Sequence, residues 1–88
     1  MASILMDTRM AEKILDARGL SCPLPILKAS KTLRAMEAGQ TLELLANDPG
    51  AVEDVPDFCQ SAGHELLETS ELEGNVYRFV IRKGAGRS

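Results

Sequence analysis

Two segments of this 88-residue chain carry a helical period and four carry a strand period. That ratio constrains the fold more than any other feature, because two helices can cover only one face of a sheet. After a short strand at Lys13–Ala17, Gly19 interrupts the extended run, and Leu20-Ser-Cys-Pro-Leu-Pro25 follows. Pro23 and Pro25 bias Cys22 and Leu24 away from helical backbone, while Pro25 itself suits the first turn. The helix is therefore expected to start at Pro25, with Leu24 at or near its cap. Ile26, Ala29, Leu33 and Met36 then recur at i, i+3, i+7 and i+10 as one buried stripe. Lys28, Lys31, Arg34 and Glu37 fall on the other side, and Gly39 is expected to stop the helix.

The second strand is Thr41–Ala46, with Leu42, Leu44 and Ala46 on one face. Asp48-Pro49 reads as a cap and a helix-starting proline. Pro56 would cost a hydrogen bond inside a helix. A loose opening turn is thus expected from Ala51, with the firm part at Val55–Ala62 and Gly63 as the stop. A hairpin closes the chain: His64–Ser70 and Val76–Arg82 flank a turn at Glu71–Asn75. Tyr77, Phe79 and Ile81 share its inner face, with Arg78 and Arg82 on the other.

The expected fold is α+β, a βαβαββ two-layer sandwich with a four-stranded mixed sheet and two helices on one face. The first βαβ unit makes a parallel pair with a right-handed crossover. The expected organisation is a flexible N-terminal extension over 1–12, a single domain over 13–83 and a flexible tail over 84–88.

Composition narrows function. Ten Lys+Arg against thirteen Asp+Glu, with two Phe, one Tyr and no Trp, leave neither a basic footprint nor a stacking surface. Direct nucleic-acid binding is therefore not expected. No apolar run approaches a membrane span. The N-terminus has no basic start before its apolar residues, so no signal peptide and a cytoplasmic location are expected. Two cysteines are too few for a disulfide-stapled domain. In a reducing compartment each stays a thiol.

Cys22 is the leading chemical candidate. It lies in a strand-to-helix loop just before a helix N-terminus, where an anion gains about 0.3–1 kcal/mol. At about 1 kcal/mol, a thiol of pKa ~8.5 falls to ~7.8, and its thiolate fraction at pH ~7.4 rises from ~7% to about a quarter. The backbone N–H groups of Leu24, Ile26 and Leu27 are expected to be open toward the sulfur. Pro23 and Pro25 support the site by fixing the loop. The competing reading of Cys22 is a small buried loop residue.

Cys22-Pro-Leu-Pro25 is not C-x-x-C, so no resolving thiol sits one turn away. One histidine, His64, is too few for a Cys/His zinc site. No metal and no cofactor are expected. A lone exposed thiolate can still carry a persulfide sulfur, an acyl group or an oxidant. Cys59 falls on an apolar stripe with Val55 and Ala62 and reads as core. Its alternative is a second sulfur or redox site. Arg18, Lys28, Lys31 and Arg34 read as a solvated face or as a docking patch for an acidic partner.

The sequence resembles the TusA/SirA-like sulfur carrier proteins. The resemblance rests on Leu15-Asp-Ala-Arg-Gly-Leu-Ser-Cys-Pro-Leu-Pro-Ile-Leu-Lys28, which holds the family's Cys-Pro-x-Pro. Asp48-Pro49, Val55-Pro-Asp-Phe-Cys59, Gly63-His-Glu-Leu66 and Tyr77-Arg-Phe-Val-Ile-Arg-Lys-Gly84 add to it. It implies the same βαβαββ sandwich. It also implies that Cys22 takes a sulfane sulfur from a cysteine desulfurase or a rhodanese and passes it to a downstream sulfur-accepting protein. Branches of the family serve tRNA 2-thiouridine, molybdenum cofactor synthesis or sulfur oxidation. The tRNA branch usually has Glu between the prolines, where this chain has Leu24. Two other readings compete with the carrier. One is a regulatory adaptor with a structural or redox-sensing cysteine. The other is an oxidoreductase pairing Cys22 with Cys59.

Overall fold

The structure, a computed structural model, describes residues 12–21 and 23–84. Cys22, most of the expected N-terminal extension and the tail beyond Gly84 lie outside the described residues.

Six elements follow in the order β1 (Lys13–Asp16), α1 (Leu24–Arg34), β2 (Thr41–Ala46), α2 (Ala51–Ala62), β3 (Glu65–Leu72) and β4 (Val76–Arg82). The sheet order is β1-β2-β4-β3. β1 runs parallel to β2, and β4 is antiparallel to both β2 and β3. This is the expected mixed sheet. Pairing of β4 with β2 sets Leu42 against Ile81 and Leu44 against Phe79. Those four side chains are fully buried, and they share one core with Ala29 and Leu33 of α1 and Val55 and Cys59 of α2. Both helices therefore cover the same face. The uncovered face carries a charge ladder. Arg78 Nε donates to Glu43 at 2.9 Å, and its guanidinium also meets Glu68 at 3.3 Å. The Glu43 carboxylate holds the Arg78 pKa above its ordinary value.

Helix α1 begins one residue before the expected Pro25, with Pro23 as its cap. Pro25 is fully buried and seats the first turn in the core. Ala29, Leu33 and Met36 are buried as the stripe requires, and Ile26 is half-buried. The helix ends at Arg34, well before Gly39. Ala35 and Met36 donate to the carbonyls three residues back, which tightens the chain out of α-helix. Gly39, at φ +91°, serves the following turn instead, where its N–H donates to Lys83 O.

Helix α2 departs from expectation at its start, since it is regular from Ala51 through Pro56. Proline removes one interior bond, the one to the Val52 carbonyl. Pro56 and Val52 lie on the exposed side, where water can take up that carbonyl. Gly63 ends the helix as expected, at φ +82°, and the His64 N–H donates to Cys59 O at 2.8 Å. The β3–β4 hairpin turns through Gly74 and Asn75, both at positive φ.

Candidate functional site

The candidate site is the connection from β1 to α1. Ala17 is fully buried and extends the parallel pairing, donating its N–H to Leu45 O at 2.8 Å. The chain then turns. Leu20 N–H donates to Ala17 O at 3.3 Å, with Gly19 at φ +87° inside the turn. A side chain would be strained there, and Gly removes that cost. The Gly19 N–H donates to Asn47 Oδ1 at 2.9 Å, which ties the loop to the end of β2. A second turn closes where Leu24 N–H donates to Ser21 O at 2.8 Å. Ser21 and Pro23, the chain neighbours of Cys22, are both exposed. The loop is thus pinned at Ala17, Gly19 and Pro25.

The electrostatics differ in part from expectation. Of the three N–H groups expected to face the sulfur, Leu24 bonds Ser21 O and Leu27 bonds Pro23 O. Two donors are thereby withdrawn. The positive helix end remains, and no acidic residue lies in the first turn to cancel it.

The four expected docking cations differ in their surroundings. Arg18 reaches back to Asp16 through both arms at 2.7 Å, forming a two-pronged pair. These hydrogen bonds lower the Asp16 pKa to about 2. Lys28 and Lys31 stand exposed along α1, while Arg34 lines a separate cleft at the far end of the helix. Sequence reasoning missed the apolar residues beside the loop. Leu24 is 45% exposed, Leu27 57% and Val52, at the start of α2, 40%. Their signal was available: they are large apolar residues off the buried stripe. Asn47 was also missed. It is 28 residues from Gly19, and only the β1–β2 pairing brings them together.

Cys59 is core, at 2% exposure. Burial pushes its thiol pKa up to about 11. A thiol so shifted is a poor nucleophile, which counts against a redox role. In a Cys22→Ser protein, Cys59 is expected to react with a disulfide reagent at pH 8 about a hundredfold slower when folded than in urea. Equal rates would place Cys59 at the surface. His64 is half-buried, with its ring 5.6 Å from that of Phe58, and its Nδ1 accepts from the Gly84 N–H at 3.0 Å. Burial and then the nearby Lys83 charge lower its pKa. Among the described residues no His/Cys/Asp/Glu group could hold a metal, and no helix is long and apolar enough to cross a membrane.

Comparison with known proteins agrees with this frame. Residues 13–83 match the family model described as sulfurtransferase TusA. The chain is 54% identical over 69 residues to a sulfur carrier protein TusA of Allochromatium vinosum, covering 78% of this chain and 90% of that protein. It is 45% identical over 74 residues to a putative sulfur carrier protein YrkI of Bacillus subtilis, covering 84% and 97%. The crystal structure of a SirA-like protein from Desulfitobacterium hafniense superposes with a TM-score of 0.72 at 26% identity, covering 82% of this chain and 97% of that one.

Proposed function

The chain belongs to the sulfurtransferase TusA family, and from that premise we propose that Cys22 carries sulfane sulfur between two proteins as a persulfide. The donor is a cysteine desulfurase or a rhodanese holding its own persulfide. The Cys22 thiolate attacks the outer sulfur of that persulfide. One S–S bond breaks as another forms, and the donor cysteine leaves as a thiolate. The same exchange, with Cys22 as the leaving group, hands the sulfur to a protein acceptor. No net oxidation occurs, so no redox cofactor enters. Such an acceptor can feed tRNA 2-thiouridine synthesis or another sulfur-using route. A reducing cytoplasm keeps the carrying thiol free.

The observation that supports this reading most is the frame around Cys22: two prolines, an anchored turn, exposed neighbours on both sides and an uncancelled helix N-terminus. Exchange is fastest when the attacking thiol has a pKa near ambient pH, so a moderate shift suffices. Docking falls to exposed Leu24 and Leu27 with Lys28 and Lys31 behind them. A fitting partner has an apolar patch rimmed by carboxylates. Arg18, already engaged by Asp16, adds little charge to this surface.

The test loads the protein with labelled sulfur from a cysteine desulfurase and chases it onto an acceptor thiol. The carrier reading expects label to enter and then leave. Reversing both Lys28→Glu and Lys31→Glu is expected to slow loading about tenfold, the scale of electrostatic steering. The rate of Cys22 with neutral iodoacetamide should stay unchanged. Retained function in Cys22→Ser, with no label ever bound, would favour the adaptor instead.

A further inference from the structure

We propose that the cleft at the carboxyl ends of α1 and α2 binds a small tetrahedral oxyanion of the sulfate and phosphate class. The cleft measures about 170 Å³ and is lined by Ser30, Arg34, Ala62, His64 and Lys83. These residues come from both helices, the residue before β3 and the residue after β4.

Every polar side chain in this lining can donate. Arg34 and Lys83 are cations, and Ser30 supplies a hydroxyl. The Nδ1 of His64 accepts from Gly84, so in the neutral ring the proton sits on Nε2, which becomes a donor. No carboxylate is among the lining residues. Glu65, next to His64, is engaged across the sheet by Arg82, and the exposed Glu37 is not part of the lining. Arg34 has no ion pair or side-chain hydrogen bond among the described residues.

Helix carboxyl ends ordinarily repel anions. Here several nearby carbonyls already have donors: Thr32 O accepts from Ala35 N–H and Leu33 O from Met36 N–H. Lys83 Nζ donates to Met36 O at 2.8 Å, and His64 N–H to Cys59 O. Lys83 keeps two further protons for a ligand. Donors converging from separate elements suit oxygens pointing in several directions, as in a tetrahedral ion. A planar carboxylate would use fewer of them. The cleft is also held in shape. A side chain at position 84 would run into the Gly63 carbonyl, so Gly84 permits the close approach that fixes the His64 ring.

Leu24 to Arg34 spans about 15 Å of helix. The cleft is therefore separate from the Cys22 loop, and its occupancy does not rest on the carrier reading. Nuclear magnetic resonance titration of the full chain tests it, with sodium sulfate and sodium phosphate against sodium chloride at matched ionic strength. The His64 ring nitrogens and the Gly84 amide are the reporters. Saturable shifts are expected with sulfate or phosphate, and equally in Cys22→Ser. Arg34→Gln should weaken binding at least about tenfold, on the scale of one lost charged hydrogen bond. Arg34→Lys should restore part of it. Arg34 is exposed, and retained amide dispersion confirms that its variants fold. Non-saturating shifts equal to those of chloride would overturn the proposal. So would unchanged binding in Arg34→Gln, or equal saturation by acetate.

Discussion

Phe79→Ala is expected to cost about 3–5 kcal/mol of folding stability, the usual range for emptying a buried phenylalanine site. Phe79 is fully buried on β4, opposite Leu44, beneath both helices. Stability for a chain of this length is roughly 4–13 kcal/mol in total. One substitution therefore removes a large share of it. The cost is high because the core is small: its other large, fully buried side chains are Leu33, Leu42, Leu44, Ile81, Val55 and Pro25. Helices pinned to a sheet from one side cannot collapse far into the gap. Urea denaturation checks this through a lowered midpoint at unchanged slope. Leu67→Ala serves as the control, because Leu67 is 44% exposed on the edge strand β3 and should lose about 1 kcal/mol or less. A Phe79→Ala loss as small as that of Leu67→Ala would mean that the core lies elsewhere.

The same small core explains why so much of the fold was legible. Leu42, Leu44 and Ala46 alternate, and Ala29, Leu33 and Met36 recur at helical spacing, because each must reach one shared layer. Pro23 and Pro25 mark the α1 boundary to within a residue, since their constraint is local and steric. Local rules fail where tertiary contacts compete. Gly39 reads as a helix stop, yet the chain leaves the helix earlier to pair its turn with Lys83. Pro56 reads as loosening the turn from Ala51, yet α2 is regular there, with Ala51, Val55 and Cys59 all held in the core.

The site follows the same division. Its loop, prolines and helix end lie within one stretch of sequence and could be read directly. Its anchor could not: Asn47 follows the next strand, β2, and lies 28 residues from Gly19. Nor could the surroundings of Arg34, which lines a cleft together with His64 and Lys83 from the far half of the sequence. Residues that meet around a cleft from distant elements leave no periodic trace in a sequence. The backbone donors were misjudged for a related reason. Leu24 N–H turns back to Ser21 O, a bond that residue spacing does not reveal.

Cys22, and no other residue, is expected to hold the transferred sulfur. Intact-mass spectrometry after incubation with a cysteine desulfurase and cysteine tests it most directly. The expected result is a gain of about one sulfur atom, ~32 Da, reversed by reductant. The gain should appear in wild type and in Cys59→Ser, whose buried thiol takes no part, and be absent in Cys22→Ser. Sulfur uptake by Cys22→Ser, or no uptake by wild type from any desulfurase or rhodanese donor, would contradict it.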